Sequence, residues 1–198
     1  MGDTWTFTAI DAEAKLIPSW LVGSRDAGCA IEFLRDLAGR LTHGIRPQMT
    51  SDGHSMYLEA VEDAFGCEID YAMLIKEYGE DPEEDKKKYS PARIRSVEVR
   101  VIQGEPAAEH ICTSYVERQN LTMRMSMRRM TRLTNAFSKK VENLAHAVSL
   151  HFMAYNFVKP HGTLTKAAGG TPTTPAMAAR VAMRPWGYED VISELLSN

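Results

Sequence analysis

From Thr4 to Asp11 the chain reads TWTFTAID, with Trp5, Phe7 and Ala9 alternating with Thr4, Thr6 and Thr8. A period of two predicts a strand. The polar stretch Asp11–Lys15 is short enough for a hairpin turn. Leu16–Val22 reads as a second strand, and its Pro18, which has no N–H to donate, belongs on an edge or at a bulge. Helical spacing then takes over. Ala30, Ile31, Leu34, Leu37, Ala38 and Leu41 recur at three- and four-residue steps within Ala27–Leu41, with Ser24 or Asp26 as the N-cap.

The pattern then switches repeatedly. Ile45–Ser51 predicts a short strand ending at Asp52-Gly53, Ser55–Phe65 a helix, and Ile69–Ile75 a fourth strand. Glu77–Tyr89 is acidic with a lysine tail and reads as a solvated loop. In Ile94–Gln103, Val97, Val99 and Val101 share one face, which predicts a strand lying outside the main sheet. From Tyr115 to Val158, Met123, Met127, Met130, Phe137, Val141, Leu144, Val148 and Phe152 mark a long helix or helix pair. The methionines in that series read as core filler. Lys159–Thr173 carries Pro160, Gly162, Gly169, Gly170 and Pro172 and is expected to be a loop. Thr174-Pro175 has the chemistry of an N-cap followed by N1, and Tyr188–Leu196 is a final amphipathic helix. Strands first, then strands alternating with helices, then helices, predict an α/β chain with a mixed sheet flanked by helices.

Composition narrows the class. The 198 residues, 44% hydrophobic and 25% charged, suit one soluble globular domain or one domain with an appendage. No stretch nears the roughly 18 apolar residues of a membrane span, and no secretory leader is evident. Cys29, Cys67 and Cys112 are scattered and show no zinc spacing, so the reducing cytoplasm is the expected compartment.

The net charge of −3 divides unevenly. Residues 1–90 hold 9 Lys/Arg against 18 Asp/Glu, whereas residues 91–198 hold 14 against 8. Arg118–Lys140 contains seven basic residues and no acidic one, which makes Arg118, Arg124, Arg128, Arg132, Lys139 and Lys140 a candidate polyanion surface. A solvated helix face is the plainer alternative.

Two carboxylates stand near that chemistry. Asp52 ends a short strand, the end at which open α/β sheets place ligands. Gly53 would let the chain turn away, although Asp-Gly is also an ordinary turn dipeptide. Glu117 fits a capping box with Ser114. It also precedes Arg124 by seven residues, about 10 Å along one helix face, with Arg128 and Arg132 continuing at four-residue steps. A carboxylate beside an arginine stripe suits a metal ligand next to a phosphate backbone.

These segments resemble a family. Thr50-Ser51-Asp52-Gly53-His54, Ser114-Tyr115-Val116-Glu117-Arg118-Gln119-Asn120-Leu121-Thr122-Met123-Arg124, Ala136-Phe137-Ser138-Lys139-Lys140, Tyr155-Asn156-Phe157 and Thr174-Pro175-Ala176-Met177-Ala178-Ala179 are similar, in that order, to bacterial insertion-sequence transposases. The type is the insertion-sequence-one group of the DDE superfamily, and the likeness runs from Trp5 to about Ala179. It implies a ribonuclease H-like, retroviral-integrase-like core over residues 1–158, with an insertion at about 77–106. Residues 159–198 would then be a C-terminal loop and short helices packing on the core. It also implies Mg²⁺ or Mn²⁺, hydrolysis of a phosphodiester at the element end, strand transfer into target double-stranded DNA, and a homo-oligomer. Asp52 carries over as the second acid, Glu117 as the third, both as catalytic metal ligands, and Arg124 as the basic position that contacts DNA.

The chain departs from the family pattern at the first acid. The hairpin Trp5–Val22 matches the second and third core strands, so the strand bearing the first Asp is expected to be missing and activity impaired. Asp11 and Asp3 are the substitutes to consider. Arg180 stands where relatives carry a small residue, and the loop Lys166–Thr173 is longer than theirs. The competing expectation is a non-catalytic DNA-binding or self-associating regulator derived from a transposase. His54, directly after Asp52-Gly53, is expected to start or pack a helix.

Overall fold

The computed structural model describes residues 4–42, 44–79, 94–131 and 138–196. In chain order the elements are β1 (Thr4–Thr8), β2 (Trp20–Ser24), α1 (Ala27–Arg40), β3 (Gln48–Asp52), α2 (Met56–Phe65), β4 (Asp70–Tyr78) and β5 (Ile94–Gln103). They continue with α3 (Ser114–Ser126), α4 (Val141–Met153), a π-helical turn (Ala154–Val158), α5 (Gly162–Ala167), α6 (Pro175–Ala178) and α7 (Tyr188–Leu196). The chain is mixed α/β. It forms two compact units, one of Met1–Cys29 with Tyr115–Asn198, the other of Ala30–Ser114.

In the discontinuous unit, β1 and β2 pair antiparallel with Thr4 opposite Ser24 and Thr8 opposite Trp20. The ladder starts later in the second arm than its apolar run suggests. Leu16–Ser19 contains Pro18 and lies outside β2, yet Ile17 and Ser19 are buried. The backbone groups of Ile17 are satisfied from afar: Asn156 Oδ1 accepts the Ile17 N–H at 3.0 Å, and Asn156 Nδ2 donates to the Ile17 carbonyl at 2.9 Å. One side chain thus replaces a neighbouring strand, and a buried amide pair of this kind must be satisfied.

Ile17 belongs to a core with Met123, Val148 and Phe152, against which Trp20, Met127, Met130, Leu144 and Tyr155 pack. Met123, Met127 and Met130 fill it as their spacing predicts, while Met125 faces solvent. Leu144, Val148 and Phe152 follow each other at four-residue steps on α4. Val141, expected on the same face, is half-exposed. Trp20 stacks obliquely on Phe152 with ring centroids 5.2 Å apart, and Phe157 meets Trp186 at 4.4 Å.

At the C-terminal end, Thr174 caps α6 as predicted, its Oγ1 accepting the Met177 N–H at 3.3 Å with Pro175 at N1. Arg180 follows α6 with φ +60°, in the left-handed region. The Val181 N–H closes the helix end on the Ala176 carbonyl at 2.8 Å. Left-handed backbone after a helix favours glycine, so the arginine here carries a conformational cost. Asp190 near the start of α7 accepts both Arg184 guanidinium nitrogens at 2.8 Å and the Gly187 N–H at 2.7 Å. The Arg184 bonds first, then the Gly187 bond, hold its carboxyl down to about 2. The expected loop Lys159–Thr173 is not wholly irregular: Gly162–Ala167 is helical, and the His161 N–H bonds the Thr173 carbonyl at 2.8 Å to close the segment.

Helix α1 starts under the Asp26 cap, whose Oδ1 accepts the Cys29 N–H at 2.8 Å. The continuous unit buries Phe33, Leu34 and Leu37 of α1, Ala60 and Val61 of α2, Ile69 just before β4, and Tyr71, Ala72 and Met73 along it. Its sheet has the order β3-β4-β5, with β3 parallel and β5 antiparallel to β4. Two expectations change. Ile94–Gln103 is not outside this sheet but pairs with β4, Val99 opposite Leu74. The fourth strand runs on to Tyr78, into the segment expected to be loop. The rest of that acidic segment, residues 80–93, lies outside the described residues.

The start of β4 is fixed by one ion-pair cluster. Arg46 Nε donates to Asp70 Oδ1 at 2.8 Å, and its other nitrogens donate to the Cys67 and Ile69 carbonyls at 2.7 and 2.8 Å. Asp70 Oδ1 also accepts the Glu105 N–H at 2.9 Å, and Gly104, at φ +68°, leaves no room there for a Cβ. The Arg46 bond, then the Glu105 bond, hold the Asp70 carboxyl below its ordinary range.

Candidate functional site

Asp52 is the last residue of β3, opposite Leu74 on β4, and its side chain is exposed. Its surroundings are tightly built. The neighbouring Ser51 Oγ lies 2.6 Å from the hydroxyl of fully buried Tyr71 and donates to the Asp52 carbonyl at 2.9 Å. Burial pushes the Tyr71 phenol up, the Ser51 bond opposes this, and the Asp52 charge adds to the rise. Gly53 has a different reason from the one expected. A Cβ there would stand 2.8 Å from Ile75 Cγ1, so the residue is small because β4 passes close by.

His54 lies just before Ser55, the N-cap residue of α2, rather than in the helix itself. Its N–H bonds Asp52 Oδ1 at 3.3 Å, and its Nδ1 accepts the Met56 N–H at 3.5 Å.

Glu117 sits in the first turn of α3. At 100° per residue, Glu117, Arg124, Arg118, Leu121 and Met125 share one arc of the helix. All five are exposed, while Gln119 and Met123 on the opposite arc are buried. Ser114, the expected capping partner of Glu117, is itself the first helical residue, and its Oγ lies 2.8 Å from Cys112 Sγ.

The predicted basic stripe is interrupted. α3 ends at Ser126, Met127 is extended at φ −116°, and Arg128 begins a separate 3₁₀ turn, Arg128–Met130. Arg128 therefore does not continue the α3 face one turn on, and Arg132 lies outside the described residues. Arg129 is exposed and bonds to later residues of the chain. Its Nη1 donates to Ser138 Oγ at 2.9 Å and to the Asn143 carbonyl at 3.0 Å. Lys139 and Lys140 are exposed immediately before α4.

Asp11 is in the hairpin turn and exposed. Its Oδ1 accepts the Glu13 and Ala14 N–H groups at 2.7 and 2.6 Å, an Asx turn that gives this carboxylate a structural task. Asp3 lies outside the described residues. The same turn touches α3 through Lys15, whose Nζ stands 3.6 Å from the Tyr115 ring centroid.

Asp52 belongs to the continuous unit and Glu117 to the discontinuous one. Both present hard oxygen donors at exposed positions, the donor type that Mg²⁺ or Mn²⁺ takes. Sequence reasoning gave Asn156 no task of its own. Its sole signal was an amide among the apolar residues Tyr155 and Phe157.

Comparison with family models, with curated proteins and with solved structures finds no match to this chain. Among the described residues, no helix is long and apolar enough to cross a membrane.

Proposed function

We propose that the chain is a DDE-type DNA transposase core with a ribonuclease H-like fold, acting on double-stranded DNA by phosphoryl transfer. The observation that carries this reading is the exposed arc of α3, on which Glu117 shares a face with Arg118 and Arg124 while the opposite arc is buried. An arginine pair on a solvent-facing helix suits phosphate oxygens, which position a protein on DNA without reading sequence. Asp52, exposed at the C-terminal end of a strand paired in parallel, is the second support. Asp52 and Glu117 are the residues that would hold Mg²⁺ or Mn²⁺, which would supply charge neutralisation at the scissile phosphate. Arg118, Arg124, Arg128, Lys139 and Lys140 would hold flanking phosphates.

The test uses the purified chain, duplex DNA bearing candidate element ends, and Mg²⁺. Expected are salt-sensitive binding, weakened on replacing Arg118 and Arg124 by Ala, and slow strand cleavage abolished by Asp52→Asn or Glu117→Gln in variants that remain folded at the assay temperature. Binding without cleavage, unaffected by Asp52→Asn, selects the regulator instead. Absence of both overturns the DNA reading.

A further inference from the structure

β5 is the end strand of its sheet, and it is exposed along almost its whole length, on both faces. Val97, Val99 and Val101 are 53, 50 and 54% exposed, an apolar stripe on one face of a strand whose outer edge pairs with nothing among the described residues. Edge strands are commonly protected by charged side chains, by proline, by bulges or by shortness. β5 is ten residues long and has no proline, and its charges, of both signs, can pair with those of an identical strand.

We propose that β5 pairs antiparallel with β5 of a second copy of this chain, about a two-fold axis at Val99. In that register Val99 faces Val99 of the other copy, Val97 faces Val101, and the three valines of each strand form one continuous apolar face. On the other face Glu98 stands opposite Arg100, twice. At present these two side chains bond within the strand, Arg100 Nη2 to Glu98 Oε1 at 3.0 Å, both more than half exposed. The dimer exchanges that contact for two across the axis. Charge pattern and pleat together select this register. A slip of one residue sets valines against polar positions. A slip of two sets Glu98 against Glu98 or Arg100 against Arg100, and like charges directly opposite are destabilising. The strand is also regular where the pairing needs it: the two irregularities of the β4–β5 ladder fall at Tyr71/Ala72 and Glu77/Tyr78, flanking the segment opposite Val97–Arg100. The joined sheet would have six strands. The proposal does not depend on the DNA reading.

Sedimentation equilibrium of the 198-residue chain over rising concentration tests it. The wild type is expected to dimerise. Glu98→Arg and Arg100→Glu should each weaken the dimer by about tenfold, because both cross-axis pairs turn repulsive. An equimolar mixture of the two variants should regain it, since the paired arginines of one variant then face the paired glutamates of the other. The double variant E98R/R100E should also dimerise. Rescue on mixing separates a lost interface from a damaged fold. A wild type that stays monomeric, a dimer indifferent to either single reversal, or a loss that mixing does not repair overturns the proposal.

Discussion

The two units are closed by different means. Residues 30–114 form one unbroken stretch, whose parallel and antiparallel ladders join strands near each other in sequence. The other unit joins two stretches far apart along the chain, and its buried polar link spans 139 residues, from Ile17 to Asn156. Closing a longer loop adds only slowly to the entropy cost, so the discontinuous arrangement is tolerable. Its integrity, however, is concentrated in a few long-range contacts, while that of the continuous unit is spread along neighbouring strands. The same contrast separates the two candidate acids. Asp52 is set among close-packed neighbours on its own strand and the next, and Glu117 stands on the open side of a helix.

The sharpest way to break the comparison is Asn156→Ala. It strips the partners from a buried N–H and a buried carbonyl, and roughly 2–4 kcal/mol should be lost. Scanning calorimetry should show the loss in the transition of the discontinuous unit, with the other transition unmoved. A single transition shifting as a whole would deny that the units respond separately. Next comes Gly53→Ala in the continuous unit. The added methyl meets Ile75, and an overpacking cost of roughly 1–3 kcal/mol is expected in denaturant unfolding, whereas Glu117→Gln should cost under about 2 kcal/mol. Equal costs at the two sites would erase the difference between a built-in and an open acid.

Arg180→Gly runs the other way. It removes a side chain from left-handed backbone and should raise stability by ~1 kcal/mol, read as a higher denaturant midpoint.

The smallest effect is on the acid limb. Asp70 and Asp190, one in each unit, have carboxyls held below the ordinary range. Their contribution is complete above the unfolded carboxylate value of about 4 and is lost as pH falls through the folded value, about 2 for Asp190. Melting temperature against pH should therefore fall less steeply below about pH 4 in Asp190→Asn than in the wild type.

Local signals were legible in the sequence. The bounds of β5 and α7 coincide with their apolar periodicity, and Thr174-Pro175 caps α6 as its chemistry requires. Pairing was not legible: the valine alternation of β5 is the same whether its face is buried or open, so it specifies a strand without specifying its neighbours. Nor was the end of α3, since no Gly or Pro stands between Ser126 and Lys140 to mark it. α5 was hidden for the opposite reason, because Gly162, Gly169 and Gly170 read as loop while a bond between His161 and Thr173 closes the segment over one short helix. At the candidate site, Asp52 and Glu117 stood out by residue type and spacing. The crowding that requires Gly53 depends on Ile75, which only the fold brings near.

The stacking of Trp20 on Phe152 and of Phe157 on Trp186 has an optical consequence. With Trp5, whose ring carries Arg25 at 3.9 Å, these are all three tryptophans of the chain, and all lie in the discontinuous unit. Indole emission is therefore a reporter of one unit alone. The residue 30–114 stretch is silent in that channel and visible only through its tyrosines, among them the buried Tyr71. Tyrosine emission is shared, because Tyr115, Tyr155 and Tyr188 lie in the discontinuous unit, so the indole channel alone follows one part of the polypeptide without any label.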